Sequence, residues 1–341
     1  MDSILRAYGE PLCDAIFRQK PEDFIVDEQL IFEPDGEGEH VYLLIKKRNT
    51  NTQWLAKQLA IFTGIKQRDV SYAGLKDRNA ITTQWFSLIL HKDKEPDWKS
   101  LDLEGVKVIK ATRHRCKLRP GMVKKNHFTV TLRDVTCSAD TLSERLELIL
   151  QNGVPNYFGE QRFGHGGENI EQAKRLFAGE LKVKDRKLKG IYLSAARSYL
   201  FNKVLAERVK QGNWNKAING DCMILDGSNS FFSIDQIDHE VEKRITEFDV
   251  HPSGPLWGRG EPLVRLDALL LENDTLINDR SIQQGLDNAN MKMDRRALRM
   301  QVDELVYEIF SPDDIKLKFY LRSGQYATTL LREIFFLNQQ H

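Results

Sequence analysis

The run Gly74-Leu75-Lys76-Asp77-Arg78-Asn79-Ala80 sets one carboxylate between two cations. Neighbouring positive charges favour the ionised form of a carboxylate. An ionised carboxylate on a loop between two short strands can act as a nucleophile or a base. The same spacing also describes a surface turn with local ion pairs, the commoner outcome on spacing alone. No second acid stands near Asp77 to form the carboxylate pair of a glycosidase. The eight histidines and four cysteines (Cys13, Cys116, Cys137, Cys222) are scattered, without HxH, HExxH or CxxC. No metal site is expected, and the thiols read as reduced cysteines of a cytoplasmic protein. His165-Gly166-Gly167 lacks the strand-turn-helix setting of a dinucleotide fingerprint, so no cofactor is expected either.

Two further segments could meet a nucleobase. Lys125-Asn126-His127-Phe128 and Gly324-Gln325-Tyr326-Ala327-Thr328 each pair hydrogen-bonding groups with an aromatic ring. An Asn amide can both donate to and accept from a base edge, and a ring offers a stacking face. Phe158-Gly159-Glu160-Gln161-Arg162-Phe163-Gly164 mixes aromatics, glycines and Arg. It fits a loop against a nucleic-acid backbone and a buried domain-boundary turn equally well. Net charge is only +1, but it is segregated. Residues 105–133 carry nine Lys/Arg and no acid, whereas residues 204–290 carry eight Lys/Arg against fifteen Asp/Glu, a net of −7. Such a basic stripe attracts phosphate, and it also describes a solvated charged face. Lys117, Arg119, Lys124 and Lys125 are its candidates for contact with an RNA backbone. A second basic run, Lys182 to Arg197, contains one acid, Asp185.

These residues need a scaffold, and 341 residues can bury a sizeable core. No apolar run approaches the ~20 residues of a membrane span, and the first 20 residues show no secretory signal. Strands are expected over 24–28, 40–47, 70–73, 84–90, 106–111, 127–135 and 315–321, the last two by clear alternation and 84–90 as a strongly apolar run. A helix is expected from Asn51 to Gly64, with Trp54, Leu55, Leu59 and Phe62 on its apolar face. Further helices are expected over 168–177, 194–210, 234–248, 264–271 and 326–337, and one carrying Leu142, Leu146 and Ile149. The order strands, helices, strands implies an α+β protein. Its catalytic part would be built from residues 1–152 and 303–341, with a mainly helical insertion at 153–302.

Four separated motifs stand in order along the chain: Pro21-Glu22-Asp23-Phe24-Ile25-Val26, Gly74-Leu75-Lys76-Asp77-Arg78, Asn156-Tyr157-Phe158-Gly159-Glu160-Gln161-Arg162-Phe163-Gly164 and Leu193-Ser194-Ala195-Ala196-Arg197-Ser198. Together they resemble the TruD family of tRNA pseudouridine synthases. The resemblance implies the pseudouridine-synthase fold, a mixed but largely antiparallel sheet with flanking helices, carrying a family-specific insertion. It implies isomerisation of a uridine, uridine-13 of certain tRNAs, by a cytoplasmic monomer that needs no cofactor. Asp77 then matches the catalytic aspartate. Phe24, Asn126, Phe128 and Tyr326 match residues around the substrate base. Lys76 lies beside them, and Arg18 stands where a basic partner for the aspartate is expected. Lys125 and Arg322 depart from the Gly and Pro that many members carry there. The alternative on the same fold is a non-catalytic RNA-binding or RNA-chaperone protein, against which the intact Gly-Leu-Lys-Asp argues.

Overall fold

The computed structural model describes residues 4–91 and 94–338. Its chain divides into two units. One comprises the stretch ending at Leu12, Ala139–Val302 and Gln325–Ile334. The other comprises Cys13–Ser138, Asp303–Gly324 and the stretch from Phe335.

The second unit is built on a ten-stranded sheet. Its path runs Asp303–Ser311, Asp314–Arg322, Val123–Arg133, Phe24–Leu30, Ile81–Ile89, His40–Arg48 and Val106–His114. Neighbours on this path are antiparallel except Phe24–Leu30 against Ile81–Ile89. Alternation sets the register, because a one-residue slip would turn every buried side chain to the other face. Phe24, Val26 and Glu28 stand opposite Val130, Phe128 and Asn126. Phe319 and Leu321 stand opposite Phe128 and Asn126 on the other flank. All eight are buried.

The expected first helix is Thr52–Thr63. Asn51 caps it by accepting from the backbone N–H groups of Gln53 and Trp54, and Gly64 ends it at φ 70°, a left-handed conformation that favours glycine. Its buried stripe is Leu55, Ala56, Leu59 and Ala60, which covers Val41, Leu43, Ile45, Phe86 and Leu88 of the sheet. Trp54, expected on that stripe, is exposed. Position 54 is one 100° step off the row that meets the sheet, and the small Ala56 and Ala60 complete the contact instead.

The expected helix over 326–337 is only Ala327–Leu331. The chain then enters a strand, Phe335–Asn338, that pairs in parallel with Cys13–Phe17. An open strand edge offered hydrogen bonds to the backbone of this aromatic segment, and that outweighed the helical pattern.

The first unit centres on the 25-residue helix Arg186–Lys210. Leu193, Ala196, Leu200 and Val204 pack with Ala173, Ile282 and Leu286 of the helices Glu168–Phe177 and Arg280–Asn288. Ala195, Phe201, Leu205 and Val209 pack with Tyr157, Phe158 and Phe163. The helix starts eight residues before the expected 194, where Asp185 accepts from Lys187 N–H and Leu188 N–H. The helices expected over 234–248 and 264–271 are His239–Thr246 and Leu266–Thr275. The unit also holds a four-stranded sheet, Phe231–Ser233, Cys222–Leu225, Val250–Leu256 and Asp294–Ala297, whose short strands left no clear signal in the sequence. Two buried ion pairs brace it: Arg208 to Asp221 at 3.0 Å and Arg295 to Glu272 at 2.7 Å.

Candidate active site

Asp77 sits on the loop between Val70–Tyr72 and Ile81–Ile89. Buried side chains behind the loop hold its backbone. Gln84 Nε2 donates to the Gly74 carbonyl at 2.6 Å. Thr52 Oγ1 donates to Gln84 Oε1 at 3.1 Å and accepts from the Lys76 N–H at 3.2 Å. Lys47 Nζ donates to the Thr50 carbonyl at 2.7 Å and to the Asp77 carbonyl at 3.4 Å. A loop held by satisfied buried donors and acceptors keeps its side chains aimed.

The Asp77 carboxylate lies 3.2 Å from an Arg18 terminal nitrogen, with the two side chains 31% and 14% exposed. Arg18 has φ 60°, uncommon for a residue with a Cβ and worth about 1–3 kcal/mol of strain. Its guanidinium lies over the Phe24 ring at 4.0 Å and the Phe17 ring at 4.8 Å. Burial lowers the Arg18 pKa, and Asp77 opposes that shift. The carboxylate thus keeps a fixed counter-charge on one side.

Phe24 is 1% exposed. Its ring meets Phe17 edge-on at 5.5 Å, and Phe128 at 5.8 Å with a tilt. Phe128 in turn stacks on Phe319 at 5.3 Å. These rings therefore form the floor under Arg18, and a base stacking on Phe24 requires that the guanidinium move. Asn126 lies beside Lys76, whose Nζ donates to its Oδ1 at 2.6 Å. Lys76 Nζ is also 3.2 Å from the carboxylate of Glu28, a residue absent from the expected site. Lys47 is a second such residue. Both occupy inward positions of strands that otherwise bury apolar side chains: Phe24, Val26, Glu28 and Val41, Leu43, Ile45, Lys47. That break in the alternation was the available signal. Burial raises the Glu28 carboxyl pKa against the pull of Lys76, and brings the Lys47 ammonium down to about 8. The second unit thus gathers Asp77, Arg18, Lys76, Asn126, Phe24 and Phe128.

Tyr326 belongs to the other unit. Its hydroxyl accepts from Arg162 at 3.2 Å, Arg162 also donates to Ser194 Oγ at 3.0 Å, and the Tyr326 ring packs over Gly159. The aromatic-glycine block thus folds inward. Tyr157, Phe158 and Phe163 are buried, and Arg296 stacks on Phe158 at 4.1 Å while donating to Asn156 Oδ1 at 2.7 Å.

The basic stripe is partly spent on the fold. Arg113 pairs with Glu95, Arg115 with Glu37, and Arg133 with Asp23 and Asp314. Arg119 and Lys124 are exposed. Lys117 Nζ donates to the Arg68 carbonyl at 3.4 Å, and Lys125 Nζ lies over the Tyr320 ring at 3.8 Å and 3.6 Å from Glu304. In the second basic run Lys182, Lys184, Arg186, Lys187 and Lys189 are exposed, whereas Arg197 donates to the Leu256 and Lys292 carbonyls. Among the described residues no three His, Cys, Asp or Glu side chains gather to hold a metal.

A family model described as tRNA pseudouridine synthase D (TruD) matches residues 5–172 and 168–334. A tRNA pseudouridine synthase D from Methylococcus capsulatus is 46% identical over 333 residues, covering 98% of this chain and 94% of that protein. One from Nitrosococcus oceani is 48% identical, covering 96% and 93%. The crystal structure of a TruD protein from Methanosarcina mazei superposes with a TM-score of 0.73 at 22% identity, covering 97% of this chain and 95% of that one, a likeness of fold.

Proposed function

Since this chain belongs to the TruD family of tRNA pseudouridine synthases, an isomerase family, we propose that it converts uridine-13 of tRNA to pseudouridine with Asp77 as the catalytic aspartate. The observation that carries the reading is the Asp77 carboxylate at 3.2 Å from Arg18, on a loop whose backbone is tied down by buried Gln84, Thr52 and Lys47.

In this reaction the C1′–N1 bond breaks and its electron pair leaves with the base. The base turns, C5 bonds to C1′, the C5 proton departs and N1 gains one. Substrate and product have the same formula. Asp77 can serve by attacking C1′, by adding to the base or by taking a 2′ proton. The detached base carries negative charge on its ring nitrogen and carbonyl oxygens, and cations and N–H donors placed beforehand stabilise it. Arg18, Lys76 and Asn126 are the groups proposed for that task, and Phe24 and Phe128 position Arg18 and the strand beneath it. Tyr326 enters as a contact to the base on the family resemblance alone. The base must leave its stack, at a cost of a few kcal/mol, and contacts of Arg119 and Lys124 with the RNA backbone offset it. On this reading the enzyme works in the cytoplasm as a monomer without a cofactor. No helix among the described residues is long and apolar enough to cross a membrane.

Mapping pseudouridine in tRNA from cells with and without this protein tests the reading. Loss of one modified position, restored by the wild-type chain, is expected. An unchanged map refutes it.

A further inference from the structure

Glu28 is a carboxylate placed where the sheet otherwise buries Phe24 and Val26. Its side chain has no solvent exposure, and neither oxygen accepts a hydrogen bond of good geometry. Burying such a charge costs several kcal/mol unless an opposite charge offsets it. The counter-charge is the Lys76 ammonium at 3.2 Å. The same Lys76 nitrogen lies 2.6 Å from Asn126 Oδ1, and Asn126 is the cross-strand neighbour of Glu28.

An ammonium can only donate. Held at 2.6 Å from Asn126, it accepts one of the two amide orientations, Oδ1 toward Lys76. With Oδ1 occupied by Lys76, the Nδ2 group is the end of the amide left to donate elsewhere. Without the ammonium the two orientations of an Asn amide differ little in shape. Without Glu28 the half-buried ammonium loses the carboxylate it pairs with at 3.2 Å. The three residues form a chain in which each fixes the next.

We propose that Glu28 is a positioning residue for the isomerisation: it holds Lys76, and Lys76 fixes Asn126 as a hydrogen-bond donor to a carbonyl oxygen of the uracil. The inference rests on the Asp77 site being the active site. A donor aimed at a uracil oxygen gains strength as that oxygen takes up charge when the glycosidic bond breaks. Its loss therefore falls on kcat rather than on tRNA binding.

The experiment is a double-mutant cycle on the full chain, with tRNA as substrate. Glu28→Gln should lower kcat ten- to hundredfold while the Kd for tRNA stays within twofold. Lys76→Met should lower kcat at least as far. Because Glu28 acts through Lys76, the double variant should be no worse than Lys76→Met within about twofold. Independent losses that multiply overturn the proposal, as does wild-type kcat in Glu28→Gln. Should Glu28→Gln fail to fold, Glu28→Leu with Lys76→Met replaces the buried pair by apolar side chains of similar size, an exchange often neutral for stability. That variant should melt like the wild type and have lost most of its kcat. If it keeps wild-type kcat, the proposal fails. Asp77→Asn measured alongside separates the two readings. Full activity in Asp77→Asn removes the active-site assignment itself. An inactive Asp77→Asn beside a fully active Glu28→Gln removes only the role of Glu28.

Discussion

Replacing Asp77 by Asn tests the assignment of the catalytic group most directly. Asn keeps the size of the side chain, and its Oδ1 can still accept from Arg18 across the 3.2 Å gap. The perturbation is the loss of one negative charge. A hydrogen bond to a charged group contributes about 1.5–3 kcal/mol, and the bond from Arg18 to Asn remains of that kind, so only the attraction between opposite charges at a partly exposed site is lost. With Asp77 31% exposed, the expected loss of stability is about 1 kcal/mol, a fall in Tm of about 2–4 °C. The chain therefore stays folded at assay temperature, and Kd for tRNA should stay within about tenfold. A lost base contributes about 10²–10⁴ in rate, and a lost nucleophile at least as much. The assay is release of tritium from tRNA carrying [5-³H]uridine, because C5 gives up its hydrogen only when the new bond to C1′ forms. Single-turnover conditions with enzyme in excess separate that step from binding. The expected result is a rate at least ~10²-fold lower at saturating enzyme. A rate within threefold of wild type, with the variant folded and bound, refutes the reasoning.

Replacing Lys117, Arg119, Lys124 and Lys125 by Ala should weaken tRNA binding and flatten its log–log salt dependence by about 0.7–0.9 for each side chain that neutralises a phosphate. The exposed Arg119 and Lys124 should account for most of the change, and an unchanged slope shows that the stripe faces away from RNA. Asp221→Ala leaves Arg208 buried with only the Asn213 and Lys216 carbonyls, and should cost about 3–5 kcal/mol, read from the urea midpoint. A loss below about 1 kcal/mol shows that the carbonyls suffice. Lys47 gives a pH signature: its folded pKa, about 8, lies below its unfolded value of 10.5. Between these values the unfolded chain keeps a proton that the folded chain has lost, so stability should rise with pH across that window, by up to about 3 kcal/mol. Lys47→Met should remove that increment, and parallel stability curves for the two proteins contradict it.

Short-range pattern was enough for much of the scaffold. The strands around Asp77, the cap residues Asn51 and Gly64, and the helix Glu168–Phe177 follow from period and end signals, because those are set by each segment's own backbone sterics and hydrogen bonds. The Gly74–Arg78 run and the aromatic-glycine block likewise stood out from the sequence, and they carried the family resemblance. Partners are another matter. Alternation shows that position 28 faces inward, but only the fold shows that its charge meets Lys76 at 3.2 Å. A count of cations shows a basic stripe, but only the fold shows that Arg113, Arg115 and Arg133 are held by acids from distant segments. Phe335–Asn338 became a strand because Cys13–Phe17, more than 300 residues earlier, left an edge open. The sequence by itself determined the strongly periodic elements and which residue types could do chemistry. The tertiary structure decided which of those residues meet, because burial and counter-charge depend on neighbours that are far away along the chain.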